Sequence, residues 1–258
     1  MNKKELEEIK IVDLIPVAIT DNIRSGIEDR KELSKRIARE TDSLVKLDVI
    51  SIEKGTASVK GNYDEVVSAP NILQKVKWAG QQGYNALVID CFGDTGLDTA
   101  REISNIPIIG ANQSAIHLAS QLAERFSIIN ILPETEHLVR SLFIKYGLIQ
   151  NLASIRTIQI PVLEPEKDPK FTLEKIVEVA QKALLEDSAY AIVLGCTGMS
   201  FLVKAIEQRF MELNIDIPVI ELLRATICNV IFVVLMEVSH SQKAHMKPRE
   251  KYKNIRLG

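Results

Sequence analysis

Two cysteines stand where this chain could do chemistry. Residues 86–93 (ALVIDCFG) and 191–198 (AIVLGCTG) are each a short apolar run ending in Cys-x-Gly, at Cys91 and Cys196. Each run reads as a buried parallel strand that passes into a helix. A helix start carries free N–H groups and partial positive charge. That setting lowers a thiol pKa from about 8.5 and makes thiolate available near neutrality. Gly93 and Gly198 let the backbone approach a small ligand closely. One such cysteine alone reads as a small buried hydrophobe. Two at equivalent points of two matching segments point to a pair of acid/base groups. Flanking a ligand from opposite sides, one thiolate removes a proton next to a carbonyl, and the other thiol returns one to the opposite face. Each such group contributes typically ~10²–10⁴-fold, and helix-start N–H donors stabilise the enolate-like charge. This chemistry needs no cofactor.

The elements that must position the thiols repeat with them. β-branched runs at 9–15, 47–52, 86–90, 106–109, 127–132, 155–162, 191–194 and 217–220 alternate with helical patterns. The helical stretches include 64–82, 97–104, 113–125, 134–146, 171–187 and 199–213. Alternation of this kind implies parallel sheets covered by helices, and uniformly apolar strands fit sheets buried on both faces. After each cysteine comes a helix, then an Ile-Pro strand (Ile106-Pro107 and Ile217-Pro218), then another helix. Upstream, Pro16 answers Pro133. The expected fold is therefore α/β, with two pseudo-symmetric lobes. Each is a four-stranded parallel sheet flanked by helices, and the active site lies in the cleft between them.

Composition narrows the class. The chain has 258 residues, 46% hydrophobic and 26% charged, with a formal net charge of −2. It is long enough to bury a sizeable core, and it lacks the bulk basic field that argues for nucleic acid. No apolar run reaches the roughly 18 residues of a membrane span; 219–238 is broken by Glu221, Arg224 and Glu237. The N-terminus has no apolar signal core, so the expected location is cytoplasmic. Three cysteines in such a protein argue against a disulfide framework.

Residues around both cysteines resemble the hydantoin racemases of the aspartate/glutamate racemase superfamily. Residues 89–98 (IDCFGDTGLD) with Ala100-Arg101-Glu102 are similar to that family's first cysteine motif, and 193–199 (VLGCTGM) to its second. The segments 106–110, 115–119, 145–148, 160–163, 63–65 and 83–86 fit as well, so the similarity runs in order through about 47–225. The resemblance implies Cys91 and Cys196 as paired acid/base thiols, no cofactor, a small-molecule substrate and a homo-oligomer. It also implies that the C-terminal helix returns to the first lobe. That makes the first lobe 1–112 plus 221–258, carrying Cys91, and the second 113–220, carrying Cys196. The hinges fall near Gly110 and Pro218. Hydantoin racemases usually have Asn-Pro-Asn-Thr after the first strand; residues 15–20 here (IPVAIT) keep only Pro16 of that substrate-facing loop. Gln113 stands where the family often has Glu. Hydantoin, allantoin and a free amino acid such as aspartate or glutamate all stay open as substrates, and the resemblance of the Cys91 motif favours a 5-substituted hydantoin. A non-catalytic two-lobed binding protein and a redox dithiol are the readings from other classes.

Further polar residues have a structural and a functional reading each. Asp94 and Thr95 either contact substrate or cap the helix at 97. Thr197 either holds a substrate oxygen or caps its helix. Pro133-Glu134-Thr135 opens a helix by ordinary preference and faces the cleft if the lobes are symmetric. His117 reads as a hydrogen-bonded helix residue, and Cys228 as core. His137, His240 and His245 have no metal-ligand spacing with a cysteine. Residues 93–96 (GDTG) are not a phosphate loop, and the basic stretch 243–256 reads as a solvated extension.

Overall fold

Strands that are apolar at every position need helices on both faces, and the chain folds accordingly. The computed structural model describes residues 8–18, 24–162 and 164–249. The first sheet comes from β1 (Ile9–Ala18), α1 (Arg24–Glu40), β2 (Val45–Ile52), α2 (Asn62–Gln81), β3 (Ala86–Ile89), α3 (Leu97–Ile103) and β4 (Ile108–Gly110). The second comes from α4 (Ala111–Leu122), β5 (Phe126–Asn130), α5 (Glu136–Lys145), β6 (Leu152–Thr157), α6 (Pro169–Asp187), β7 (Ile192–Leu194), α7 (Val203–Glu212) and β8 (Val219–Ile220). The helix α8 (Leu222–Leu235) follows. The strand orders are β2-β1-β3-β4 and β6-β5-β7-β8, two parallel sheets of identical topology. The inner strands β3, β5 and β7 are buried at every residue.

The chain divides into two compact units. One takes the described residues up to Asp90, Thr95–Ile109 and Ile227 onward; the other takes Cys91–Asp94 and Gly110–Thr226. These divisions lie at 109/110 and 226/227, where the sequence placed them at 112/113 and 220/221. Cys91–Asp94 groups with the second unit rather than the first, for a local reason. Phe92 is buried in the core built around β5 and β7, and the Asp94 carboxylate accepts bonds from the start of α4. In the first unit Ile11, Val12, Leu14, Leu87, Val88 and Ile89 are buried, and α2, whose Ile72, Val76 and Ala79 are buried too, packs against β1 and β3.

Several elements differ from the sequence expectation. The strand expected at 155–162 is β6 at Leu152–Thr157, so it starts earlier and ends before Ile158. The strand β1 continues past 15 to Ala18, so Pro16 and Val17 are strand rather than loop. Proline cannot donate to a ladder, and Pro16 is tolerated because the β1–β2 register shifts between Ile15 and Ala18. Pro16 also lies beyond Leu14, the last β1 residue paired with β3. The rest of the expected loop, Ile19 and Thr20, lies outside the described residues, as does the basic stretch beyond 249. The segment 199–213 is a 3-10 turn (Thr197–Leu202) followed by α7, not one helix. Cys228 is exposed, not core: the buried stripe of α8 is Leu222, Leu223, Thr226, Ile227 and Val230, and Cys228 falls off it.

Among the described residues, no helix is long and apolar enough to cross a membrane. Among them, too, no three His, Cys, Asp or Glu side chains are grouped to hold a metal ion.

Candidate active site

In an open parallel sheet, ligands bind beyond the strand C-termini, where the strand order reverses. In the order β2-β1-β3-β4 that point lies at β1 and β3. Pro16 is in the last turn of β1, and Cys91 follows β3. In the order β6-β5-β7-β8 it lies at β5 and β7. Pro133-Glu134-Thr135, a 3-10 turn, follows β5, and Cys196 follows β7. Topology thus puts Pro16, Cys91, Pro133-Glu134-Thr135 and Cys196 near the strand ends beside a switch point.

The two cysteine turns match bond for bond. The residue before each cysteine is the last in the ladder: Asp90 N–H donates to Leu14 O at 2.9 Å, and Gly195 N–H to Ile129 O at 2.8 Å. Each cysteine carbonyl then accepts from the residue three further on, Asp94 N–H at 3.0 Å and Met199 N–H at 3.1 Å. Each sulfur accepts from the glycine two further on: Gly93 N–H to Cys91 Sγ at 3.4 Å, and Gly198 N–H to Cys196 Sγ at 3.3 Å. Both sulfurs therefore face backbone donors, the setting that stabilises a thiolate. Both cysteines are half-buried and free of disulfides. A Cβ on Gly198 would lie 3.4 Å from Cys196 Sγ, in van der Waals contact with it.

Gly195 is required for a different reason. An added Cβ would meet Ile128 Cγ2 and Ile129 O at 3.0 Å and Asn130 Cα at 3.1 Å. Two of those neighbours are backbone in a buried strand and have nowhere to go. Gly195→Ala is expected to cost about 1–3 kcal/mol by overpacking, lowering Tm by roughly 2–10 °C. Thermal denaturation followed by circular dichroism checks this; an unchanged Tm would mean that the β7 exit has slack.

The remaining polar residues are mostly committed to the protein itself. Asp94 is buried and caps a helix, though not the one at 97. Its Oδ1 accepts from Asn112 N–H at 3.0 Å, and its Oδ2 from Gln113 N–H at 2.9 Å and the Tyr146 hydroxyl at 2.6 Å. It thereby caps α4. Its φ of 47° lies in a region that Asp and Asn tolerate better than other residues. Thr95 and Thr197 are buried. Thr135 Oγ1 donates to Leu132 O at 2.9 Å and accepts from Asn130 Nδ2 at 2.8 Å, while Pro133 and Glu134 are exposed. His117 is a helix residue bonded through Nδ1 to Gln113 O at 2.7 Å, with its ring edge on Tyr146.

Five residues escaped the sequence reading. Arg30 of α1 forms a buried ion pair with Asp90, immediately before Cys91. Glu221 caps α8 and accepts from Ser200, four residues after Cys196. Asn112, at the start of α4, is fully buried with neither side-chain amide atom hydrogen-bonded. Only Glu221 carried a local signal, an acid directly before an apolar helix.

Comparison with known proteins bears on the family and the fold. Residues 22–229 match the Asp/Glu/Hydantoin racemase family. A hydantoin racemase of Pseudomonas sp. (strain NS671) is 35% identical over 196 residues, 76% of this chain and 74% of that one. The structure of an allantoin racemase from Klebsiella pneumoniae superimposes with a TM-score of 0.85 at 29% identity, covering 97% of this chain and 98% of the other. That of allantoin racemase from Pseudomonas fluorescens does so with 0.84 at 27% identity, covering 95% and 99%. The class that fold and relatives define is an isomerase of the racemase type. The chain belongs to the Asp/Glu/Hydantoin racemase family.

Proposed function

We propose that the protein racemises the carbon between a ring nitrogen and a carbonyl in a 5-substituted hydantoin, with Cys91 and Cys196 as the two acid/base groups. The observation that carries this reading is the bond-for-bond identity of the two cysteine turns at the switch points of the two sheets. One thiolate takes the C5 proton, and the electron pair of the C–H bond moves into the adjacent carbonyl as an enolate. The other thiol delivers its proton to the opposite face of C5 as the enolate collapses. The thiols have then exchanged roles, and the next turnover runs in reverse or after proton exchange with water. The step balances without any added group, so the reading assigns no cofactor.

Two observations support a neutral ring over a free amino acid. The relatives above are named for hydantoin and allantoin, which share the hydantoin ring and its acidic C5–H. In addition, the starts of α4 and α8 are already taken by the carboxylates of Asp94 and Glu221, so neither offers its positive end to a substrate carboxylate. Thr197 beside Cys196, and the exposed Pro133-Glu134 with Thr135, are proposed to meet the polar edge of the ring, with Gly93 and Gly198 shaping its surroundings.

Solvent-deuterium exchange at C5 of resolved L- and D-hydantoins, followed with loss of optical rotation, tests the reading. Racemisation with deuterium incorporated at C5 is the expected result, for allantoin as for simpler hydantoins. Silence on these rings with turnover of aspartate or glutamate would overturn the ring assignment. Silence on both would overturn the proposed catalysis.

A further inference from the structure

We propose that Asp94 and the Ser200–Glu221 pair are positioning residues, each latching one thiol-bearing turn to the first turn of a following helix. The inference rests on the two-thiol reading above and adds what holds each thiol in place. Every residue concerned lies within the second compact unit.

At the first turn, Asp94 is tied twice. Its own N–H donates to Cys91 O, and its carboxylate accepts from Asn112 and Gln113 N–H in the first turn of α4. Tyr146, at the end of α5, donates to the same carboxylate. At the second turn the acid has changed sides. The position matching Asp94 is Met199, buried in the core, and the position before α8 is Glu221, where α4 is preceded by Gly110. Glu221 Oε1 accepts from Leu223 N–H at 2.7 Å, and Oε2 from Arg224 N–H at 2.9 Å. Ser200 Oγ then donates to Glu221 Oε1 at 2.6 Å and ties the turn to the helix.

Each junction therefore holds one carboxylate that bridges turn and helix, supplied by the turn in one half and by the helix in the other. Capping alone does not explain this. Glu221 satisfies two N–H groups of α8 without Ser200, and the bond from Ser200 adds only the link to the turn. The link survives although the acid has moved. What it fixes is the angle at which Gly93 and Gly198 N–H meet the sulfurs, and thus where each sulfur points. Displacements of about 1 Å at a reacting group cost on the order of 100-fold in rate, so a bond at this distance from the thiol matters more than its own strength suggests.

The test compares Asp94→Asn, Ser200→Ala and Ser200→Thr with wild type, Cys91→Ser and Cys196→Ser. Deuterium exchange with retention is measured separately on each enantiomer. Amide hydrogen exchange is measured on peptides covering 91–96 and 196–202. Asp94→Asn is expected to slow exchange roughly tenfold on the enantiomer that Cys91→Ser silences, leaving the other within about twofold. Ser200→Ala should do the reverse, and Ser200→Thr should restore it. Only the peptide of the affected turn should lose amide protection. If Asp94→Asn does not fold, Tyr146→Phe removes one of the three bonds to the same carboxylate and so leaves the latch less firmly held without deleting the acid. Equal slowing on both faces, or loosening of both peptides together, would overturn the proposal, because the residues would then act on the fold alone. Full racemisation in either cysteine variant would remove the two-thiol reading by itself, while amide exchange still decides whether the latches hold the turns.

Discussion

Cys91→Ser is expected to lose racemisation by about 10³-fold while still exchanging the C5 proton of one enantiomer with solvent. Cys196→Ser is expected to lose it equally and to exchange the other enantiomer. The asymmetry follows from the matched turns. Each sulfur faces a glycine N–H of its own turn, at 3.4 Å for Cys91 and 3.3 Å for Cys196, so each has its own means of holding negative charge. Serine keeps the geometry but is too weak an acid to carry that charge near neutrality. The surviving thiolate still removes a proton from its own face and, after exchange with water, returns deuterium to the same face. Inversion needs both groups, so the double variant should racemise little worse than either single one, as for residues acting as a unit. It should, however, exchange neither enantiomer. Proton NMR of the C5 signal in deuterium oxide, together with polarimetry, separates the two quantities. Loss of exchange on both enantiomers in a single variant would mean that one thiol serves both faces. A redox dithiol would instead show oxidation-dependent loss of both thiols and no exchange at all.

The parts legible in the sequence were those with local causes. The strands β3 and β7 were readable because a strand covered on both faces is apolar throughout and because Cys-x-Gly marks where each leaves its sheet. Their repetition carried the two-sheet fold. The helix α1 was only half visible. Among its described residues only Arg30 and Ile37 are buried, and Arg30 is there to pair with Asp90 while half-buried Ser34 donates to Leu47 O at 2.7 Å. A charge at the centre of the inward face blurs the hydrophobic period there. The reverse problem hid the orientation of α8, which is apolar on its outer face too, with Phe232 and Leu235 exposed. That is why Cys228 reads as core in sequence and is exposed in the fold. Capping is one of the two sequence readings of Asp94, but the helix it caps begins at 111 instead of 97. Such a partner is chosen by the packing of two distant segments, and nothing in the intervening residues records it. Glu221 was visible only as an interruption of an apolar stretch, since its bond to Ser200 spans two elements.

Arg30→Met is expected to cost about 3–5 kcal/mol, the usual penalty for stripping the partner from a buried charge. Asp90 is wholly buried at the end of β3, with Oδ2 taken by Arg30 Nε and Oδ1 without a hydrogen bond. Arg30 is itself held in place, since its Nη1 donates to Gly26 O at 2.8 Å within α1. Removing the guanidinium leaves a carboxylate in an apolar sheet one residue from Cys91, whereas methionine fills much of the same volume. At about 2–4 °C per kcal/mol for a chain of this size, Tm should fall by roughly 6–20 °C. The pair as a whole is a different matter. Two desolvated charges gain little net over well-packed apolar residues of similar volume, so Arg30→Met combined with Asp90→Leu should recover most of the lost Tm. The matching position in the second half already dispenses with the charge, since Gly195 precedes Cys196 there. Activity separates the roles further. If the pair serves only to seat α1 on the sheet, the double variant regains racemisation along with Tm. If Tm returns but exchange on the Cys91 face does not, the Asp90 carboxylate also sets the exit angle of the chain into the Cys91 turn. A single variant as stable as wild type would mean that the pair is solvated in the working protein, and the burial argument would fall.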